Sequence, residues 1–298
     1  MMIKTNRLQI GKWANYLFIS LFGFITLYPF LYVLSVSISP PTAVTIHGPV
    51  VLLPRGFSTA AYEMVFGDRR LIMGLVNSIQ YTLVGTLVSV ILTTLTAYPL
   101  AQPKFKRYAK IYMRFVIFTM LFSGGLIPTY LVIRSVGLIN SFWVMVIPGA
   151  ISAFYLILTR TFMQQLPMEL FEAAEIEGCG DFNMYIRIVL PLCMPIIACI
   201  ALYYAVGIWN SYQTPLFYLT SESKHPLQIF LRQIVMQAST QEMEMATRGS
   251  ERIVPGMTYT SQSVRCATLV LSTVPILMAY PFLQKYFVKG IMVGAIKG

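Results

Sequence analysis

Long apolar segments alternate with short polar ones along the whole chain. Six of the apolar segments hold roughly 20 or more residues with few charges, the length that an α-helix needs to cross the hydrocarbon core of a bilayer. The pattern therefore predicts an all-α polytopic membrane protein with six transmembrane helices. The predicted spans are roughly 16–38, 72–101, 112–133, 140–163, 190–209 and 264–284.

Composition supports a membrane protein. Of the 298 residues, 56% are hydrophobic and 11% are charged, whereas a soluble domain carries about 25% charged residues. The formal charge of +11 could indicate nucleic acid, but the basic residues lie at the ends of apolar segments, so no nucleic-acid partner is expected. The four cysteines form no CxxC pair, which predicts neither a disulfide framework nor a zinc site.

The placement of lysine and arginine predicts which segments face the cytoplasm. The dense basic cluster from Lys104 to Arg114 lies between the second and third spans, and short basic loops stay on the cytoplasmic side. Both termini are then cytoplasmic. The predicted organisation is a cytoplasmic segment 1–15, a membrane domain 16–284 with outer segments 39–71 and 210–263 and a cytoplasmic loop 164–191, and a cytoplasmic tail 285–298.

The first span follows three basic residues, as a secretory signal peptide would. Its apolar run covers residues 16–38, however, and a signal peptide has an apolar region of about 7–15 residues. We therefore expect an uncleaved transmembrane helix.

The polar residues within the spans are neutral. No Asp, Glu, Lys, Arg or His lies near the middle of any predicted span, although ion-coupled carriers use such groups to relay protons or balance charge. A stand-alone secondary carrier or channel stays as the alternative, but amides, hydroxyls and aromatic rings suit a polyhydroxylated solute better. The same side chains could instead join helices by hydrogen bonds. The candidate substrate-pathway residues are Asn77, Gln80, Tyr81, Gly124, Gly125, Asn210, Tyr212 and Gln213.

The third span contains a combination that interrupts helices. Ser123-Gly124-Gly125 is followed by Pro128, and a break at membrane depth is tolerated only where protein or a water-filled cavity satisfies the freed backbone groups. The span therefore either lines a cavity or carries an ordinary proline kink.

The outer segment after the fifth span has its own helical pattern. Leu227, Phe230, Leu231, Ile234 and Val235 recur at helical spacing, which predicts a short amphipathic helix on the outer surface. It would either cap the bundle or receive a solute-delivering partner.

The sequence offers no catalytic or metal-binding constellation. Its two histidines, His47 and His225, belong to no metal-ligand or nucleophile–base pattern. No GxxxxGK[ST] phosphate loop occurs, so energy for uphill transport would have to come from another subunit. We expect no catalytic residue, metal or cofactor in this chain.

The cytoplasmic stretch Glu169–Pro191, ELFEAAEIEGCGDFNMYIRIVLP, holds five of the chain's eleven acids. Pro167 suits the first turn of a helix, Gly178 a left-handed C-terminal cap and Asp181 the N-cap of the next helix. The pattern predicts a helix, a tight reversal, and a second helix that enters the membrane at Pro191.

This stretch resembles the signature of bacterial ABC importer permeases. Glu172-Ala173-Ala174, Gly178, Ile188 and Leu190-Pro191 match EAA-x3-G-x9-I-x-LP in every defined position. The chain is similar to the carbohydrate permeases of the maltose-type class, in the branch of LplC and YtcP that handles complex oligosaccharides and that neighbours the alginate importers. The stretches Phe122–Ala150 and Tyr280–Gly298 carry this resemblance.

The resemblance implies the partners and the site. The chain would be a type I importer permease in the bacterial cytoplasmic (inner) membrane. It would pair with a second homologous permease, an extracytoplasmic solute-binding protein and a cytoplasmic ATPase dimer that binds ATP and Mg²⁺. It would also contact membrane lipid. Its substrate would be an oligosaccharide, and an acidic, alginate-like one is among the candidates. Glu172 would contact the ATPase, with Ala173 and Ala174 allowing close packing and Gly178 making the turn. The implied ATPase-coupling residues are Glu172, Ala173, Ala174, Glu175, Gly178, Ile188, Leu190 and Pro191, and the implied C-terminal contacts are Gly294, Lys297 and Gly298.

Overall fold

The computed structural model describes residues 3–40, 54, 56–248 and 260–295, and within these ranges it is helical with no strand. The predicted contacts Lys297 and Gly298, and His47, lie outside the described residues. The helices are α1 (Ile3–Ser37), α2 (Ala60–Gly67), α3 (Arg69–Ala101), α4 (Lys106–Leu121), α5 (Leu126–Ser135), α6 (Ala153–Met163), α7 (Met168–Ile176), α8 (Asp181–Leu192), α9 (Met194–Trp209), α10 (Gln213–Tyr218), α11 (Leu227–Arg248) and α12 (Ser261–Ala295). Gly294 falls in the last turn of α12.

The all-α fold is confirmed, and the helix pattern agrees with part of the span prediction. Within the described residues, Asn15–Ser37 and Arg69–Ala101 are long and apolar enough to cross a membrane. Two further pairs of helices, Pro103–Leu121 with Leu126–Ser135 and Asp181–Leu192 with Met194–Trp209, each make one span if a bent pair is counted as one. The total of six spans stays a prediction.

The predicted third and fourth spans are not continuous helices. Between α4 and α5 the chain turns by 119°, and Gly125 at the start of α5 has φ 79°, a conformation that glycine adopts without steric cost. The break at Gly124-Gly125 is therefore real, and Pro128 lies in the first turn of α5. In 140–163 only the eleven residues of α6 form an α-helix, because the first half is a short 3₁₀ turn (Phe142–Met145) and a loop.

The chain forms two compact units. The first consists of Met1–Arg69 and Leu231–Val274. Within it, the end of α1 packs against α12 through Val36 and Cys266, and the Ser37 hydroxyl hydrogen-bonds the Tyr62 hydroxyl at 2.9 Å. From Trp13 to Phe30, nearly all of the apolar side chains of α1 that the structure describes are exposed, such as Leu17 (73%) and Phe18 (68%), as expected for a surface that faces lipid or another chain.

The second unit, Arg70–Phe230 with Pro275–Gly298, is organised by α3. With 33 residues, α3 is about 50 Å long at 1.5 Å per residue, which exceeds a hydrocarbon core of about 30 Å. One face is buried, and small residues dominate that face, because small side chains let membrane helices approach closely. The buried residues of α3 are Leu71, Gly74, Ser78, Tyr81, Gly85, Ser89, Thr93, Thr94, Ala97 and Tyr98.

The two ends of α3 contact different parts of the chain. Its N-terminal third bonds residues 223–227, and its C-terminal third packs with α6, α7 and α8 in one hydrophobic cluster. The predicted outer segment and the predicted cytoplasmic loop are therefore separated along α3, in agreement with the predicted topology. Which end is cytoplasmic stays a prediction.

Candidate functional site

The predicted coupling helix is α7, and its C-terminal turn forms as expected. Gly178 has φ 75°, and its N–H donates to the carbonyl of Glu175 at 3.0 Å, while the Cys179 N–H donates to that of Ala174 at 2.9 Å. This pair of bonds is the Schellman motif, which satisfies carbonyls that a helix end leaves free. Since the left-handed conformation disfavours side chains, a glycine is required at this reversal.

Two details of the predicted caps are wrong. Pro167 is the N-cap of α7, with ψ 134°, rather than a residue of its first turn, because Pro167 itself remains extended. Asp181 is the first helical residue of α8 behind Gly180, rather than the N-cap. Its carboxylate instead forms an ion pair with the ammonium of Lys104, which joins the start of α8 to the segment after α3.

The coupling helix has an inner and an outer face. Phe171 and Ala174 are buried in the cluster that includes α3 and α6, while Glu172, Ala173 and Glu175 are exposed. Ala174 therefore packs inward against this chain, and Ala173 is the exposed one of the two alanines; their role at the ATPase stays a prediction. The outer face consists of Glu169, Glu172, Ala173 and Ile176, which we call the coupling face.

Ile176 is the coupling-face residue that the sequence did not single out. Its side chain is 87% exposed, although isoleucine is usually buried. Positions 169, 172, 173 and 176 follow the i, i+3, i+4, i+7 spacing of one helix face, so Ile176 lies on the same face as Glu172. The spacing alone groups these four positions on one face, but the burial of Phe171 and Ala174 is what shows that this face points outward.

The second half of the signature forms a π-helix. Tyr185–Val189 is π-helical, and the Leu190 N–H donates to the carbonyl of Tyr185, five residues earlier. Pro191 lacks an N–H and cannot give the carbonyl of Arg187 its α-helical bond, so the helix widens just before the proline. Within the signature, Ile188 and Leu190 are half-buried against the same cluster, and Pro191 is exposed.

Hydroxyl pairs connect α3 to both sides of the bend after α8. The axes of α8 and α9 differ by 81°. On α8 the Tyr185 hydroxyl lies 2.9 Å from the hydroxyl of Thr94, and on α9 the Tyr204 hydroxyl lies 2.8 Å from that of Thr93. Both threonines are buried in α3. The two pairs attach the C-terminal third of α3 to both α8 and α9.

The C-terminal end of α3 has one further attachment, to α6, and a small pocket beside it. Arg160 at the end of α6 donates its Nε–H to the carbonyl of Leu100 at 2.8 Å, satisfying a carbonyl of the last helical turn. A pocket of about 50 Å³ lies beside it, lined in part by Gln102, Gln164 and Phe171. A cavity that holds one water has roughly 10–15 Å³ of such volume, so this pocket has room for a few waters but not for a sugar residue.

Two of the substrate-pathway candidates have structural partners. Asn77 donates through Nδ2 to the carbonyls of Ser223 (2.8 Å) and His225 (3.0 Å), and the buried Tyr81 hydroxyl donates to that of Lys224 at 2.9 Å. These bonds fix the loop 222–225 on α3. The alternative role of joining helices and loops is therefore the one that the geometry gives to Asn77 and Tyr81.

The other candidates lie at the surface of the second unit. Gly124 and Gly125 are exposed at the break between α4 and α5, and Gln80 is exposed on α3. Asn210, Tyr212 and Gln213 are exposed where α9 ends and α10 begins. Their role in a pathway stays a prediction.

Asn140 is a second residue that the sequence did not single out. Its φ of 55° is the only positive value at a non-glycine residue in the described part of the chain. Its side-chain oxygen accepts from the N–H groups of Thr220 (3.3 Å) and Ser221 (3.1 Å), and its N–H donates to the carbonyl of Tyr218 at 2.7 Å. Asn140 thus joins the loop before residue 142 to the loop that Asn77 and Tyr81 hold. Asn is several-fold enriched at positive φ, but sequence alone does not show which Asn adopts it.

The described residues contain no group of three or more His, Cys, Asp or Glu side chains that could hold a metal ion. The arrangement is instead an exposed helix with acidic and apolar side chains, joined through a tight turn and a π-helix to the buried face of a long apolar helix. Together with the helices that are long and apolar enough to cross a membrane, these features define the class as a polytopic membrane protein.

Comparison with known proteins supplies the family. Residues 89–293 match the model of the binding-protein-dependent transport system inner membrane component, and the chain belongs to this family. It is 40% identical over 283 residues to the polygalacturonan/rhamnogalacturonan transport system permease protein YtcP of Bacillus subtilis, covering 95% of this chain and 96% of that protein. It is 42% identical over 290 residues to protein LplC of the same organism, covering 96% and 94%.

A solved structure shows the same fold. A chain from a bacterial ABC transporter involved in the import of the acidic polysaccharide alginate superposes with a TM-score of 0.83 at 31% identity. The match covers 94% of this chain and 97% of that one. The resemblance to carbohydrate ABC importer permeases, and the inner-membrane transport class, are thereby confirmed.

Proposed function

We propose that this chain is one half of the translocation pathway of an ATP-driven importer for acidic oligosaccharides, and that a cytoplasmic ATPase drives it through the coupling face. The observation that carries the proposal is the exposed face of α7 with Glu172 and Ile176, on a helix whose other face packs against α3. An exposed apolar side chain beside an acidic one suits an anchor in a partner's groove, and Ile176 is 87% exposed.

The coupling mechanism follows from the attachments of α7. ATP binding closes the ATPase dimer and moves the coupling face. The inner face of α7 and the Tyr185–Thr94 contact carry that movement to α3. The bend between α8 and α9 allows α9 to reorient. The pathway becomes outward-facing and receives the sugar, and it reverts after hydrolysis. Each state is populated because its ligands favour it.

The substrate class comes from the similar proteins. YtcP is named for polygalacturonan and rhamnogalacturonan, and the alginate transporter imports an acidic polysaccharide. The predicted outer segments of this chain carry more basic than acidic residues, a bias that favours an anionic solute. A uronate oligosaccharide is therefore the proposed substrate.

The partners are a second homologous permease, an extracytoplasmic solute-binding protein and an ATPase dimer that holds ATP and Mg²⁺. Both termini of the chain and α7 lie on the ATPase side in this arrangement. The C-terminal contacts proposed for the ATPase dimer are Gly294, Lys297 and Gly298.

The test is reconstitution. The tagged chain is co-expressed with the genes of its operon, and the purified complex is placed in vesicles with the binding protein outside. An ATPase and a second permease should co-purify, and uptake of labelled oligogalacturonate or alginate oligomer should require internal ATP and exceed uptake of maltose. Uptake without ATP or without the ATPase would instead establish the stand-alone carrier.

A further inference from the structure

The N-terminal half of α4 presents three faces. Ala109 and Met113 are buried and fix this half of the helix on the second unit. At 100° per residue, two different exposed faces remain beside this buried one. One is basic and the other is aromatic.

The basic face consists of Lys106, Arg107, Lys110 and Arg114, which we call the basic stripe. All four side chains are exposed, and they fall within about 100° of the helix circumference. In the described part of the chain none of them has a hydrogen bond or ion pair, whereas their neighbour Lys104 is paired with Asp181. The stripe therefore carries four uncompensated positive charges.

The aromatic face consists of Tyr108, Tyr112 and Phe115, with exposed fractions of 63%, 61% and 65%. Rings that are apolar at one side and polar at the other gather at the level of the lipid headgroups. From Val116 to Leu121 the helix carries no charge. The stripe and the rings therefore lie where α4 passes from headgroups into hydrocarbon.

We propose that the basic stripe binds anionic phospholipid headgroups, while Tyr108, Tyr112 and Phe115 on the other exposed face lie against the surrounding lipid. The proposal rests on the membrane placement of α4 in the proposed function. Membrane topology by itself requires basic residues in this loop, but it does not require them to share one helix face. A bound headgroup phosphate does, because it needs several cations that approach it from one direction. An arginine or lysine at each turn provides this convergence.

The competing occupant is an acidic surface of the ATPase. The rings favour lipid, because they place this part of α4 at the level of the headgroups, where lipid phosphates are within reach of the stripe. A lipid bound to the stripe would anchor the start of α4 to the membrane surface. This start lies next to Lys104, whose ion pair with Asp181 reaches the start of α8.

The experiment measures lipid binding to the delipidated complex by native mass spectrometry, with phosphatidylglycerol and phosphatidylcholine as the probes. Wild type should bind phosphatidylglycerol more tightly, and added salt should weaken that preference because salt screens exposed charges. The triple variant Lys106→Gln, Lys110→Gln, Arg114→Gln should raise the first dissociation constant for phosphatidylglycerol on the order of tenfold or more. The charge-conserving variant Lys106→Arg, Lys110→Arg, Arg114→Lys should retain it, and Arg134→Gln, at an exposed position on α5, should leave it unchanged.

Equal affinity of wild type for the two lipids, or unchanged phosphatidylglycerol affinity in the triple variant, would overturn the proposal. Loss of the ATPase from the triple variant with unchanged lipid affinity would assign the stripe to a protein partner. If no ATPase accompanies wild type at all, the proposed function fails while the lipid measurement on the chain still stands.

Discussion

At the residue scale, Asn140 combines backbone strain with dense hydrogen bonding. It holds φ 55°, its amide bonds two backbone N–H groups and the hydroxyl of Ser221, and its carbonyl accepts from the Lys224 ammonium. The loop that it holds is the one that Asn77 and Tyr81 attach to α3. One side chain therefore determines the position of two loops.

We expect Asn140→Ala to destabilise the protein by about 2–3 kcal/mol, since it leaves the N–H groups of Thr220 and Ser221 unpaired and adds the cost of a positive φ. Asn140→Gly should cost less, because glycine removes the strain. The thermal unfolding midpoint in detergent measures both, with Asn183→Ala, at an exposed position of α8, as the control. Equal midpoints for the alanine and glycine variants would contradict the role of φ.

At the scale of elements, the small residues on the buried face of α3 let neighbouring segments pack close to its backbone. A Cβ added at Gly74 would lie 2.8 Å from the Phe230 ring and 3.2 Å from the backbone Cα of Leu227. A Cβ at Gly85 would lie 2.7 Å from Cδ1 of Ile208, the end of a flexible side chain. Both added methyl groups would clash at a similar distance. The Ile208 side chain can rotate away from Gly85, whereas the backbone of Leu227 cannot move away from Gly74.

Gly74→Ala should therefore destabilise the protein by about 1–3 kcal/mol, as overpacking does, and Gly85→Ala by less. The double variant Gly85→Ala, Ile208→Val removes the clashing Cδ1 and should recover most of the loss. Gly207→Ala is the control, because nothing lies within 4 Å of its Cβ. Unfolding midpoints in detergent give the ranking, and a Gly85 variant worse than the Gly74 variant would contradict it.

Helix ends and breaks could be predicted from the sequence where neighbouring residues alone determine them. Gly178 was predicted at a left-handed cap because few other residues tolerate it, and the break at Gly124-Gly125 was predicted because two glycines followed by Pro128 interrupt a helix. The segment 140–163 is not one continuous helix, which apolar composition could not show, because composition does not distinguish a membrane helix from a packed loop with a 3₁₀ turn. Asp181 bonds Lys104 rather than capping α8, since its partner lies 77 residues away and no local rule includes it.

At the scale of the whole molecule, the sequence identified how the protein is driven better than what it carries. The coupling signature is contiguous, so its residues could be named before the fold. The sequence did not show which of these residues point outward, because the burial of Ala174 depends on its packing against α3 and α6. Asn77 and Tyr81 were assigned to the pathway from polarity alone, and their bonds to residues 223–225 depend on long-range packing.

The most direct test of the account is the rate of binding-protein-stimulated ATP hydrolysis and uptake in vesicles that hold the complete complex. Ile176→Glu should lower both rates on the order of tenfold or more, as removal of an interface anchor does, and Glu172→Ala with Gly178→Pro should abolish uptake. Gln165→Glu introduces the same charge at an exposed position outside the coupling face and should change neither rate. Because Ile176 is exposed, its variant should keep the wild-type unfolding midpoint in the isolated chain. Wild-type hydrolysis and uptake in the Ile176→Glu complex would contradict coupling through this face.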